Sequence, residues 1–140
     1  MFGLPDAVRA CLFDLDGVLT RTAVVHAAAW RTMFDEYLRG QSRCTGEPFV
    51  SFGQSDYDRY VDGMPRNAGV RSFLVSWGIA LSEGGVHDPP GAETVTGLGE
   101  RKNDPVRRMI AEQGIEAYEG SVRYVRAVRA AGLRTAVVED

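Results

Sequence analysis

Two short apolar runs near opposite ends of the chain constrain its fold more than any other feature. Ala10-Cys11-Leu12-Phe13 is apolar and breaks off at Asp14. Leu133-Arg134-Thr135-Ala136-Val137-Val138 is the second run, rich in β-branched residues. Their length and abrupt polar ends predict buried strands. A helical pattern over Ser121–Ala131, with Val122, Val125 and Val128 inward and Gly132 just past its end, leads into the second run. A strand, then a helix feeding a second strand, predicts an α/β fold with a parallel sheet. Two strands are fewer than such a sheet ordinarily needs.

The segment between the runs has the period of helices. His26, Trp30, Met33 and Tyr37 recur at spacings of 4, 3 and 4, one face of a helix from about Thr22 to Arg39 that Gly40 stops. Residues 40–54 are rich in Gly, Ser, Thr and Pro and read as loop. Ser55 with Asp56 is expected to cap a short helix, Tyr57–Val61. Pro65 and Asn67 precede a helix reaching about Trp77, whose apolar face is Val70, Phe73, Leu74 and Trp77, with Gly78 at its end. Residues 82–92 hold three Gly and two Pro and read as loop. A helix resumes near Glu93, weakened at Gly97 and Gly99, and runs to Gln113.

Composition removes several classes of function. The 140 residues are 44% hydrophobic and carry a net charge of −3, which excludes intrinsic disorder and disfavours a nucleic-acid partner. No apolar run approaches the length of a membrane span, and no basic, apolar leader opens the chain. The cytoplasm is therefore the expected compartment. Cys11 and Cys44 have neither metal-ligand spacing nor a disulfide framework, and Cys11 is expected to be a small buried hydrophobe. Lys102 is the sole lysine among 16 basic residues.

The chemistry lies in Phe13-Asp14-Leu15-Asp16-Gly17-Val18-Leu19-Thr20. Carboxylates two positions apart on an extended chain share a side. At the C-terminal end of a parallel strand they face the crevice where α/β folds bind ligands. One carboxylate can attack a phosphoryl group and become an aspartyl-phosphate. The other can protonate the leaving oxygen and later deprotonate the acceptor. Together they form a hard-oxygen site suited to Mg²⁺. Gly17 lets the backbone leave the strand, and Thr20 offers a hydroxyl to the turn.

Asp14-Leu15-Asp16-Gly17-Val18-Leu19-Thr20 resembles the first motif of the haloacid dehalogenase-like phosphotransferases. Thr22–Trp30, Asp62–Arg66, Gly69–Leu74 and Gly97–Asp104 resemble the cap of the β-phosphoglucomutase-like branch. The resemblance spans residues 9 to 138. It implies a partial Rossmann-like catalytic core of residues 1–20 and 115–140, with an inserted α-helical cap at 21–114. It implies Asp14 as nucleophile, Asp16 as general acid/base, and Mg²⁺ held by both, Asp16 through its backbone carbonyl. Thr20, His26, Trp30, Arg66 and Lys102 become substrate-binding candidates, with His26 and Trp30 facing the active-site cleft. Arg66 would grip the non-transferring phosphate through its bidentate fork, and Lys102 would contact the sugar phosphate. The implied partner is a small sugar phosphate, with no nucleic acid and no membrane.

Each of these residues also has a structural reading. His26 can be a packed or surface histidine, Trp30 a core residue, and Arg66 a solvated arginine. The resemblance departs at the second strand. There the family places a Ser or Thr that donates to the transferring phosphoryl group, but here Val137-Val138 is followed by Glu139. The family's catalytic lysine is not Lys102, which falls in the cap. The expectation is a chain cut as the second strand ends, impaired in activity and aggregation-prone, where the complete protein would be a monomer. An alternative is an inactive product that at most binds sugar phosphates through Arg66 and Lys102. A phospho-accepting receiver domain is argued against by the long helical insertion after the first strand.

Overall fold

The computed structural model describes residues 2–139. In chain order it contains β1 (Ala10–Asp14), α1 (Ala23–Thr45), α2 (Gln54–Asp56), a wider π-type turn (Tyr57–Val61), α3 (Arg66–Ser76), α4 (Val95–Gln113), α5 (Glu119–Ala130) and β2 (Arg134–Val138). The fold is α/β, a partial Rossmann-like parallel core with an inserted helical segment. The chain divides into two compact units. One holds the residues up to Val24 with Gly114–Glu139, and the other holds Val25–Gln113.

In the first unit β1 and β2 pair in parallel, from Ala10 opposite Arg134 to Asp14 opposite Val138. Strand pleating sends Cys11 and Phe13 to one face and Leu12 and Asp14 to the other. The amphipathic α5 covers the first face. Its Val128 is wholly buried, and Phe13 meets Tyr124 edge-on at 6.1 Å. Gly132 takes the left-handed φ of +88° that closes α5 and releases the chain into β2. The strands are not buried on both faces as expected. Leu12 is 72% exposed, Val137 and Val138 are also exposed, and Cys11 is only half-buried. For Leu12 and Val138 the reason is geometric: one helix covers one face, and no element among the described residues covers the other, whereas Val137 and Cys11 share the face of Phe13 and are only partly shielded there.

The helical unit is built on one aromatic cluster. Trp30, Met33, Phe34, Tyr37 and Leu38 of α1 pack with Phe52, Val61, the Val70, Phe73 and Leu74 face of α3, and Val95 and Leu98 of α4. Phe34 lies 4.4 Å from Phe73 and 5.0 Å from Phe52, centroid to centroid. Phe52 belongs to an irregular segment that the buried Asp35 anchors. Its carboxylate accepts the Phe52 N–H at 2.7 Å and the Ser51 hydroxyl at 2.8 Å.

Four local expectations are corrected. Gly40 does not stop α1, which continues to Thr45 and closes at Gly46 with φ +77°. A single interior glycine costs a helix about 1 kcal/mol, which packing at Leu38 and earlier positions outweighs. The next helix begins at Gln54 rather than Tyr57; Asp56 lies inside it, accepting the Gly53 N–H at 2.9 Å. Trp77 is 40% exposed, because it follows the last turn of α3 and overhangs the cluster. Gly97 and Gly99 are less weak points of α4 than sites of close approach. A Cβ at Gly97 would lie 2.2 Å from the Ala92 carbonyl oxygen, and one at Gly99 would lie 2.9 Å from Asn67 Oδ1.

Candidate functional site

Asp14 is the last residue of β1 and is exposed. The Leu15 N–H donates to its Oδ1 at 2.8 Å, which fixes one carboxylate oxygen and leaves the other available. Beyond Asp14 the chain folds into a tight turn. The Val18, Leu19 and Thr20 N–H groups all donate to the Leu15 carbonyl, and the Gly17 N–H donates to the Thr20 carbonyl at 2.8 Å. Gly17 adopts φ +77°, and a Cβ there would come 3.2 Å from the Ala23 methyl. Glycine is therefore required on two counts.

Asp16 is oriented by a hydroxyl relay. Thr22 donates to Asp16 Oδ1, and the Thr20 and Thr22 hydroxyls lie 2.7 Å apart. Each hydroxyl has one proton. Because Thr22 gives its proton to the carboxylate, Thr20 must donate to Thr22, which leaves the 3.3 Å contact from Thr20 to the Leu15 carbonyl secondary. The Thr20 hydroxyl is thus committed within the turn. Sequence reading missed Thr22, whose six-residue separation from Asp16 follows no regular period. The start of α5 clamps the same turn: the Ser121 hydroxyl donates to the Val18 carbonyl at 2.6 Å, and the Tyr118 N–H donates to the Leu19 carbonyl.

Two carboxylates within one turn suit Mg²⁺, a hard cation that binds one or two carboxylates and keeps several waters. Among the described residues no group of three acidic, histidine or cysteine side chains gathers.

In the helical unit the structure brings together three of the residues read from sequence. Lys102 is only 6% exposed, and its Nζ lies 2.8 Å from His26 Nδ1. An ammonium has only protons to give, so Nδ1 accepts and the neutral ring carries its proton on Nε2. The same ammonium lies 5.3 Å from the centre of the Trp30 ring, within cation–π range. Trp30 itself is 5% exposed and stacks on Phe34, so it is a core residue with little surface left for a ligand. Arg66, at the start of α3, pairs with Glu100 of α4 at 2.8 Å. Its Nε–H is buried without a hydrogen-bond partner among the described residues, as is the neighbouring Asn67 Oδ1. Any anion gripped by Arg66 must share it with Glu100, which also meets Arg107 at 3.6 Å.

A family model described as haloacid dehalogenase-like hydrolase matches residues 8–140. Two curated relatives named beta-phosphoglucomutase, from Mycobacterium bovis and Mycobacterium tuberculosis, are each 54% identical to this chain over its whole length. The chain spans 54% of their length, about half. Among solved structures, an archaeal beta-phosphoglucomutase from a Pyrococcus species aligns with TM-score 0.59 and 21% identity, over 91% of this chain and 50% of that one. CbbY from Rhodobacter sphaeroides, in complex with phosphate, aligns with TM-score 0.61 and 20% identity, over 94% and 51% respectively. These two structural likenesses concern the fold.

Proposed function

The chain belongs to the haloacid dehalogenase-like hydrolase family, and from that premise we propose that its protein is a cytoplasmic β-phosphoglucomutase-like phosphotransferase acting on a sugar phosphate. The observation that carries this reading is Asp14 itself. It stands exposed at the C-terminal end of a parallel strand, with one oxygen fixed and a second carboxylate two residues away. The 54% identity to proteins named beta-phosphoglucomutase supports the substrate class, as does a CbbY structure determined with xylulose-1,5-bisphosphate.

In the proposed reaction the free oxygen of Asp14 attacks phosphorus. The phosphorus–oxygen bond to the sugar breaks, and Asp16 gives its proton to the departing oxygen. A sugar hydroxyl, or water in a phosphatase reaction, then attacks the acyl phosphate. Asp16 takes the attacking proton, and Asp14 is released. The hydroxyl relay through Thr22 holds the Asp16 carboxyl in one orientation for both steps. Asp14 and Asp16 would hold Mg²⁺, whose charge when bound offsets the repulsion between carboxylates and phosphate. The first unit is the catalytic core in this reading. The helical unit is the cap, supplying His26, Arg66 and Lys102 as substrate-binding groups.

One observation bears on the activity of these 140 residues on their own. Lys102 is the sole lysine, and it is buried in the helical unit against His26. No lysine is thus present in the unit that holds Asp14. Loss of one preorganised charge or donor from such a site typically costs about 10²–10³ in rate. A polypeptide of these residues alone is therefore a poor catalyst. The test is a coupled assay converting β-glucose 1-phosphate to glucose 6-phosphate with Mg²⁺ and a bisphosphate primer. Negligible turnover is expected from the 140 residues. Rapid turnover that Asp14→Asn abolishes would overturn the impairment while supporting the mechanism, and rapid turnover untouched by Asp14→Asn would overturn both.

A further inference from the structure

Gly40 closes no helix and makes no turn, so its presence in the middle of α1 needs another account. A Cβ built on it meets no atom within 4 Å. The space it leaves open belongs to a cavity of about 560 Å³. That is within the usual range for small-molecule sites, roughly 300–1,000 Å³. The walls are Tyr37, Arg39, Gly40 and Arg43 of α1, Glu93 just before α4, and Arg101 of α4. The cavity begins about 15 Å along α1 from His26, at 1.5 Å of rise per residue.

The groups on this wall are mostly unspent donors. Arg43 has no ion-pair partner among the described residues, and Arg39 lies over the Phe49 ring at 4.9 Å. Arg101 uses its Nε–H on the Pro90 carbonyl at 2.8 Å, but its terminal nitrogen is 3.9 Å from Glu93, at the limit of an ion pair. Three guanidinium groups face Glu93 and Glu36, leaving an excess of positive charge. Tyr37 adds an independent sign. The residue is only 5% exposed, yet its hydroxyl has no hydrogen-bond partner among the described residues. Burial, and then the Glu93 carboxylate, push its pKa up against the opposing effect of Arg101, so the phenol keeps its proton as a donor. The hydroxyl is not among the described side-chain atoms that are both sealed from solvent and unpartnered, so it opens on the cavity, where it can donate to whatever fills it.

We propose that this cavity binds a small organic oxyanion, a metabolite bearing a phosphate or carboxylate group, held by Arg43 and Arg101 with the Tyr37 hydroxyl donating to it. Guanidinium forks match both kinds of oxyanion, and a neutral phenol completes the grip without adding charge. Gly40 keeps the wall open for the body of the ligand. The site belongs to the helical unit, whereas Asp14 and Asp16 belong to the other, and it does not depend on the phosphotransferase reading.

Cys44 gives a direct probe. It is exposed and lines the same cavity, whereas Cys11, the other cysteine, lies in β1. Alkylation of each thiol by N-ethylmaleimide is followed by mass spectrometry at constant ionic strength, with citrate, glycerol 3-phosphate, or glucose as a neutral control. Citrate or glycerol 3-phosphate should slow Cys44 several-fold and saturably, with Cys11 and the glucose arm unchanged. The arm that protects identifies the ligand as a carboxylate or a phosphate. The half-protecting concentration should rise about tenfold in Arg43→Gln and about fivefold in Tyr37→Phe, the expected losses for a charged and a neutral hydrogen bond. Gly40→Leu should abolish protection by filling the cavity. If Gly40→Leu fails to give a wild-type circular dichroism spectrum, Tyr37→Phe, which removes one oxygen and keeps the core ring, decides. No saturable protection by either oxyanion, equal protection by glucose, or an unchanged midpoint in Tyr37→Phe would overturn the proposal.

Discussion

Replacing glycine by alanine should have opposite effects at two helical positions of this chain, and the sign follows from what a methyl group meets. Gly40 lies well inside α1, and a Cβ there touches nothing. Gly40→Ala keeps only the gain in helix propensity, about 1 kcal/mol. Gly97 lies in the first turn of α4, where its N–H donates to the Thr94 hydroxyl at 3.0 Å. A methyl there would stand 2.2 Å from the Ala92 carbonyl oxygen and 2.9 Å from the carbonyl carbon. These are backbone atoms, so no side chain can rotate away, and the approach to α4 must open by about 1 Å. Overpacking of this kind costs about 1–3 kcal/mol, and loss of the Thr94 bond adds about 1 kcal/mol. Against the propensity gain, the net effect is destabilisation by about 2 kcal/mol. Thermal unfolding followed by far-ultraviolet circular dichroism reads both variants. At roughly 4–8 °C per kcal/mol for a unit of this size, Gly40→Ala should melt about 5 °C above wild type and Gly97→Ala about 10 °C below it. A Gly97→Ala midpoint at or above wild type, or a Gly40→Ala midpoint below it, would refute the packing described for α4 or α1.

Asp35→Ala should cost about 3 kcal/mol in urea denaturation, since it removes two charge-assisted bonds and strands the buried Phe52 N–H, whereas Asp35→Asn, which keeps an acceptor, should cost less. The hydrogen bond and charge of Arg71 hold the Glu83 carboxyl below its ordinary value. Its contribution to stability is therefore complete above the unfolded carboxylate value of about 4.3 and is lost as pH falls through the lower folded one. The pH dependence of the melting temperature in Glu83→Gln should accordingly depart from wild type in slope only below about pH 4.3. The imidazole ¹⁵N shifts of His26 should show the tautomer protonated at Nε2, and Lys102→Met should remove that preference, because Nδ1 then loses its donor. A doubly protonated ring in wild type at neutral pH would contradict the assigned bond.

Features that depend on neighbours in sequence were legible, and features that depend on distant partners were not. β1, β2 and α5 follow from short apolar runs, one helical period and Gly132. The turn after Asp14 follows from Gly17, whose positive φ only glycine takes easily. The apolar composition of the strands could not show that one face lacks a covering helix. Gly40 resembled a helix stop, but a stop needs a left-handed residue, and that residue is Gly46. No local pattern marks Asp35 as an anchor, because its partners, Ser51 and Phe52, lie in an irregular segment 16 and 17 residues on. Among the site candidates, Asp14, Asp16 and Thr20 share one turn, and His26, Trp30 and Lys102 share one cluster. The Thr22 relay and the Glu100 hold on Arg66 involve long-range geometry that no local pattern encodes.

The central claim is that Asp14 accepts a phosphoryl group. It is tested by incubating the protein for hours with Mg²⁺ and acetyl phosphate, quenching with hydroxylamine, and mapping the modified peptide by mass spectrometry. Even a slow catalyst accumulates a single covalent event on that timescale. The account predicts a hydroxamate at Asp14, absent from Asp14→Asn and reduced in Asp16→Asn. Modification confined to another carboxylate, or an equal yield from Asp14→Asn, would contradict it.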